Sequence, residues 1–142
     1  MRNLENLYRQ VIMEHYKNPR HKGLKGYPHV HLKNPSCGDD ITIEADLKDG
    51  IVKEINHDGS GCSICCSSAS VLSETLSGKS VEKVLELIDK FYEMIKGGEV
   101  ENEDELEEAM VYQGVSLFPA RIKCATISWK ALERLLKGEN DE

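Results

Sequence analysis

The stretch GSGCSICCSSAS, Gly59 to Ser70, carries three of the five cysteines, Cys62, Cys65 and Cys66, directly behind a glycine-rich turn. Glycine adopts positive φ and lets the backbone approach another group closely. The small residues after Cys62 read as the opening turns of a helix. A helix start leaves N–H groups unpaired, and its dipole favours negative charge there. Cysteine binds metal and attacks sulfur only as the thiolate, which such a position stabilises. A strand-to-helix turn of this composition is built for charged sulfur.

Two further turns bear a cysteine. Asn34-Pro35-Ser36-Cys37-Gly38-Asp39 lies between two expected strands, and Arg121-Ile122-Lys123-Cys124 falls early in the last expected helix. Brought to one end of a sheet, Cys37, Cys62 and Cys124 converge. Asp39 follows Cys37 closely, with Gly38 giving backbone freedom, and adds a carboxylate. Three thiolates and one oxygen suit tetrahedral Zn²⁺, or an iron–sulfur cluster with one weak ligand. Arg121, Lys123 and Lys130 are expected to favour the ionised thiols. On the residues alone, other readings stay open. A single cysteine is more often a small buried hydrophobe than a ligand. Cys62 and Cys65 form a C-x2-C, half of a zinc ribbon or a redox pair, although no second C-x2-C and no thioredoxin-like βαβ pattern accompany it. His29 and His31 alternate on one strand face, and exposed or packing histidines are the simpler account of them.

The 142 residues make one domain, 1–142, with a tail expected to fray over about 138–142. A formal net charge of −7 argues against nucleic acid or an anionic membrane as partner. The charge is uneven, because residues 1–33 hold seven Lys or Arg against only Glu5 and Glu14. The basic loop from Arg20 to Gly26 is therefore a natural docking segment, with Arg20 and Lys22 its leading charges. No apolar run approaches the roughly 20 residues that span a membrane. The N-terminus lacks the apolar core of a secretory signal. The expected location is cytoplasmic, where clustered cysteines more often bind metal or do redox work than form disulfides.

Leu4, Leu7, Tyr8, Val11, Ile12 and His15 recur at helical spacing, predicting an amphipathic helix over 4–16, with Asn3 as cap and Asn18-Pro19 as stop. A short strand is expected over Tyr27–Leu32. Ile41, Ile43, Ala45 and Leu47 alternate as a half-buried strand does, and Asp49-Gly50 turns the chain into a return strand over Ile51–Asn56. These three strands make an antiparallel meander. Helices are then expected over 63–76, behind Ser80 with the stripe Val81, Val84, Leu85, Ile88, Phe91, Tyr92 and Ile95, and near 104–110. Residues 99–108 hold seven acids and no base, which reads as a solvated surface. The last helix opens at Phe118-Pro119 and turns Ala125, Trp129, Leu132, Leu135 and Leu136 inward. Strands followed by helices give an α+β domain with helices on one face of a three-stranded sheet.

Four segments together carry a resemblance: LYRQVIMEHYKNPRHKG (7–23), NPSCGD (34–39), GSGCSICCSSAS (59–70) and FPARIKCATISWKAL (118–132). They resemble, in order and over nearly the whole chain, the U-type iron–sulfur cluster assembly proteins of the IscU/SufU family. The resemblance implies an α+β fold with a three-stranded antiparallel sheet, and a metal site at Cys37, Asp39, Cys62 and Cys124. It implies a scaffold that takes sulfur from a cysteine desulfurase, builds a [2Fe–2S] cluster and passes it to acceptor or carrier proteins. Cys124 is the expected sulfur acceptor, with Arg121 and Lys123 supporting it. Asp39, a hard oxygen ligand, is expected to hold the cluster loosely. The alternative is a zinc-dependent sulfurtransferase of the SufU kind. Two departures favour that branch: Lys123 stands where IscU-type scaffolds have His, and Leu117–Lys123 replaces their LPPVK chaperone motif. The long separation between Cys62 and Cys124 is also similar to SufU. Cys65 and Cys66 depart from the usual small or apolar residues, as extra thiols or as core. Homo-oligomerisation is left open.

Overall fold

A computed structural model of the chain describes residues 2–138, with side chains for all of these except residues 2–5, 7 and 103. The Asn3 cap, the contacts expected of Leu4 and Leu7, and the tail beyond Gly138 lie outside the described residues. In chain order the elements are α1 (Arg2–Lys17), β1 (His29–Asn34), β2 (Asp39–Lys48), β3 (Ile51–Ser60), α2 (Ser63–Leu76), β4 (Lys79–Ser80), α3 (Val81–Ile95), a 3-10 segment (Glu103–Val115) and α4 (Pro119–Leu136).

The α+β class holds, but the sheet has four antiparallel strands in the order β1-β2-β3-β4, where three were expected. The added strand is two residues long and pairs Lys79 with Val52 and Ser80 with Ile51. So short a strand has no room for an alternating pattern, which is why the sequence does not reveal it. Ser80 also caps α3, its hydroxyl accepting the Lys83 N–H at 3.1 Å. The meander itself is as expected. Asp49 and Gly50 both take positive φ, +53° and +77°, as the two central residues of a tight hairpin turn require.

The acidic stretch is longer and tighter than the short helix expected near 104–110. Leu106, Ala109, Tyr112 and Val115 are fully buried. Their spacing of three matches the three residues per turn of a 3-10 helix, in which side chains at i and i+3 eclipse. At Glu107 the backbone leaves the helical region (φ +52°, ψ −129°). The acids that flank this apolar edge stay on the surface. Glu105 among them is gripped by Lys83 at 2.7 Å and Lys90 at 2.5 Å.

Helix α2 runs through the middle of the molecule, with α1 and α4 packed on it and β3 beneath. Its serines satisfy themselves internally. Ser68 Oγ donates to Ala125 O at 2.6 Å and accepts from Trp129 Nε1 at 2.9 Å; Ser67 Oγ shares a 2.6 Å hydrogen bond with Tyr112. Trp129 is fully buried and stacks on Phe91, ring centroids 3.8 Å apart. In α3 the buried stripe includes Leu87 and Met94, while Leu85 and Tyr92 are only partly covered.

The basic loop does more than link α1 to the sheet. Gly23 donates its N–H to His57 O at 2.8 Å, and His57 donates its N–H to His21 O at 3.0 Å, so the loop extends the β3 edge beyond β4. Glu44, buried on the sheet face opposite Ile43, accepts the N–H groups of Lys25, Gly26 and Tyr27 and the Asn56 amide at 2.8–3.2 Å. A buried carboxylate needs such a set of donors. This staple is invisible in a hydrophobic pattern, because Glu44 reads as the polar half of an alternating strand. No helix among the described residues is long and apolar enough to cross a membrane.

Candidate metal centre

The β1–β2 turn is tied by Cys37 and Gly38 donating their N–H groups to Asn34 O at 3.2 and 2.9 Å, which leaves Cys37 exposed at the tip. Asp39 opens β2 and is buried, 1% exposed. One of its oxygens accepts the Cys62 N–H at 3.1 Å and the other the Asn34 side-chain amide at 3.4 Å. Asn34, quoted in the sequence only as part of a turn, is thus an orienting partner of the carboxylate.

The glycines of the second turn are needed for close approach. Gly59 has φ +137°, and a Cβ there would lie 1.9 Å from Asp40 O across the ladder. At Gly61 a Cβ would stand 2.5 Å from Asp39 Oδ1. Gly61 therefore leaves the space that the carboxylate fills, and β2 delivers Asp39 directly against the start of α2. Cys62 is the N-cap of α2, its sulfur accepting the Cys65 N–H at 3.4 Å. That is the helix-start sulfur expected from the turn's composition.

The Sγ atoms of Cys37 and Cys124 and a carboxylate oxygen of Asp39 lie within 4.8 Å of one another. The Cys62 sulfur stands outside this trio but against Cys124, with which it interacts directly. The β1–β2 turn, the first residue of β2 and α4 thus bring three candidate donors to one place, and the α2 cap sets a fourth, Cys62, against Cys124. Such a set, three soft sulfurs and one hard oxygen, has the chemistry of a site for Zn²⁺ or for cluster iron.

Charge around Cys124 differs from the sequence reading. It is the sixth residue of α4 and is buried, so it sits past the first turn where the helix dipole acts. Burial, followed by hydrogen bonds with Asp39, Cys37 and Cys62, pushes its thiol well above the ordinary range. Arg121 and Lys123 are exposed, and Arg121 lies over the Phe118 ring, 4.7 Å from its centroid. Lys130 is exposed further along α4. These bases therefore do not offset the burial of Cys124; a cation held at the site would, since a coordinating thiol is deprotonated outright.

Arg121 also reaches the Tyr8 phenol, which faces Cys62 from α1 and whose pKa is raised by its burial. The Tyr8 ring rests against Gly114, where a Cβ would be 3.5 Å away. Tyr8 counted only as a core position in the helical pattern of α1; its place beside the cysteines comes from the packing of α1 on the 3-10 segment.

The two extra thiols separate. Cys65 is fully buried within the hydrophobic core, and desolvation raises its pKa far above the thiol range. Cys66 is half-buried in a small cleft with Tyr16, Pro19, Lys22, Ile41, His57 and Gly59; burial raises it while Lys22 opposes. The strand histidines stay apart from the centre: His31 pairs with Asp40 and His29 is partly exposed.

The family model for the NifU-like N-terminal domain matches residues 7–125. The zinc-dependent sulfurtransferase SufU of Bacillus subtilis (strain 168) is 48% identical over 133 residues, covering 93% of this chain and 90% of its own. The iron–sulfur cluster assembly scaffold protein IscU of Streptococcus pyogenes serotype M1 is 41% identical over 135 residues, covering 94% of this chain and 85% of its own. Among solved structures, a candidate iron–sulfur cluster assembly scaffold for the SUF system from Fervidobacterium islandicum AW-1 superposes with a TM-score of 0.82 at 29% identity, covering 92% of this chain and 96% of that one. With the fold, the four donors and the full-length likeness in agreement, the chain belongs to the family of NifU-like N-terminal domains, with SufU and IscU proteins among its relatives.

Proposed function

We propose that this protein is an iron–sulfur cluster assembly scaffold, which accepts sulfur from a cysteine desulfurase and assembles a [2Fe–2S] cluster on Cys37, Asp39, Cys62 and Cys124 for transfer to acceptor proteins in the cytoplasm. The observation that carries this reading is the convergence of the Cys37 and Cys124 sulfurs and the Asp39 carboxylate within 4.8 Å, with Cys62 alongside.

Cys124 is the sulfur acceptor in this reading. Its thiolate attacks the terminal sulfur of the desulfurase persulfide; the persulfide S–S bond breaks, a new one forms on Cys124, and the desulfurase leaves as a thiolate. No net oxidation occurs in that step. Reduction of the transferred sulfur to sulfide takes two electrons from an external donor, and iron arrives as substrate. Asp39, the one oxygen among sulfurs, is the ligand from which a cluster is most readily released. Cys37, exposed on its turn, gives incoming groups access.

A second reading, a zinc-dependent sulfurtransferase, is favoured by the 48% identity to the Bacillus subtilis protein of that name. Zinc held by the same four residues would keep the thiols ionised and positioned. Purification without oxygen separates the two. Brown protein with iron and sulfide in equal amounts, lost on Cys37→Ser, is the expected result. Colourless protein with one tightly held zinc, and desulfurase stimulation lost on Cys124→Ser, would replace the scaffold with the transferase. For docking, Lys22 is the better probe, because Arg20 is held by Glu14 at 3.4 Å and Glu74 at 3.7 Å.

A further inference from the structure

At the far end of α2 from Cys62 lies a second convergence of metal-ligating groups. His15 of α1 is completely buried, and its two ring nitrogens face different surroundings. Nδ1 lies 2.7 Å from Ser70 Oγ, itself fixed by accepting the Arg20 N–H at 2.7 Å. Nε2 points the other way, 2.8 Å from Glu108 Oε1 and 3.9 Å from Glu74 Oε1. The imidazole nitrogen and one oxygen of each carboxylate lie within 4.8 Å of one another.

We propose that His15, Glu74 and Glu108 form a second site, for a borderline divalent cation such as Zn²⁺, that bolts α1, α2 and the 3-10 segment together. The donors come from three separate elements and meet at one nitrogen. The buried imidazole is held from behind by a hydroxyl, the arrangement that orients a metal-binding histidine. The Glu74 and Glu108 side chains are 47% and 49% exposed, so an ion enters from solvent without opening the core. Glu74 directs its other oxygen to Arg20 Nε at 3.7 Å, which keeps Oε1 turned to the histidine.

One imidazole nitrogen with two carboxylate oxygens selects zinc-like ions over Mg²⁺ or Ca²⁺, which favour all-oxygen sets, and leaves a position for water. In an ion-bound site Nε2 gives its lone pair to the metal, and Nδ1–H donates to Ser70 Oγ behind it. Glu74 follows Cys62 by twelve residues on α2, about 18 Å at the helical rise, so the two centres cannot share an ion.

The test is equilibrium dialysis of the full-length protein against zinc, followed by cobalt(II) spectroscopy. The wild type is expected to hold one more equivalent of zinc than Glu74→Gln/Glu108→Gln, a pair that keeps His15, the side-chain volumes and a hydrogen-bond acceptor for Nε2. Cobalt in a Cys37→Ser/Cys124→Ser variant should show only the weak visible bands of nitrogen and oxygen ligands. That signal should vanish when Glu74→Gln/Glu108→Gln is added, with metal-free melting temperature unchanged. Equal zinc in wild type and Glu74→Gln/Glu108→Gln, or no cobalt signal in the cysteine variant, overturns the proposal. Loss of thiolate-to-cobalt charge-transfer bands reports the cysteine centre alone, so failure of either site is read separately.

Discussion

The two ends of α2 carry polar clusters of opposite construction. At the N-terminal end, Cys62 meets Asp39 and Cys124, which converge with Cys37 through a turn, a strand start and a helix, with soft donors and one exposed cysteine. At the C-terminal end, Ser70 and Glu74 meet His15 and Glu108 through helix faces, with hydroxyl, imidazole and carboxylates around a buried ring. The first depends on backbone approach that only glycine permits; the second depends on hydrogen bonds that lock helices already formed. The difference teaches that a sulfur-rich cluster and an imidazole–carboxylate one are made from the same helix by changing what the neighbouring elements bring to it.

The largest effect should come from breaking the backbone approach. Gly59→Ala places a Cβ 1.9 Å from Asp40 O at φ +137°. The β2–β3 ladder must then separate, at a cost of about 3 kcal/mol or more by urea unfolding. Gly61→Ala meets mainly the Asp39 side chain, which can swing aside. It should cost much less stability yet weaken metal retention measured by chelator competition. Equal stability loss in the two variants would show that the turn, not the carboxylate pocket, is what both glycines serve.

The middle effect is at the other end of the helix. Ser70→Ala strips the partner from His15 Nδ1 and from the Arg20 N–H together. Buried groups left unpaired cost about 1–3 kcal/mol. Denaturant unfolding should show that loss, while zinc or iron at the cysteine centre stays unchanged; a change there would mean that the two ends are coupled.

The smallest effect is a pH dependence. His57, buried with Nε2 donating to Arg20 O at 2.8 Å, has its pKa lowered from 6.5, chiefly by desolvation. The unfolded chain therefore binds this proton at a higher pH than the native one does. Stability from His57 staying neutral is complete above the unfolded value and is lost as pH falls below it. Unfolding midpoints measured between about pH 7 and pH 5 should decline less steeply in His57→Gln, which keeps an N–H donor. An identical slope would assign the decline to other groups.

Much of this was legible in the sequence. The alternation of Ile41, Ile43 and Ala45, the Asp49-Gly50 turn and the stripe of α3 are local patterns, and each is set by the period of its own element. The two cysteine turns, at Cys37 and Cys62, were legible too, because glycine, cysteine and aspartate at turns report backbone approach and donor chemistry directly; Cys124 instead lies inside α4. The 3-10 period of Leu106, Ala109, Tyr112 and Val115 was present in the letters but masked by the surrounding acids. A strand as short as Lys79–Ser80 leaves no pattern.

By itself the sequence determined the α+β class and the order of all elements longer than the two-residue β4, since these follow from side-chain period along the chain, and it supplied the candidate donors of the cysteine centre from their chemistry. Only the tertiary structure decided that Cys65 is core while Cys62 faces the centre, that Asn34 and Gly61 shape the place of Asp39, and that His15 meets Glu74 and Glu108. The physical reason is that these depend on which helix face or turn meets which neighbour, and residues up to 93 positions apart in the chain set that meeting.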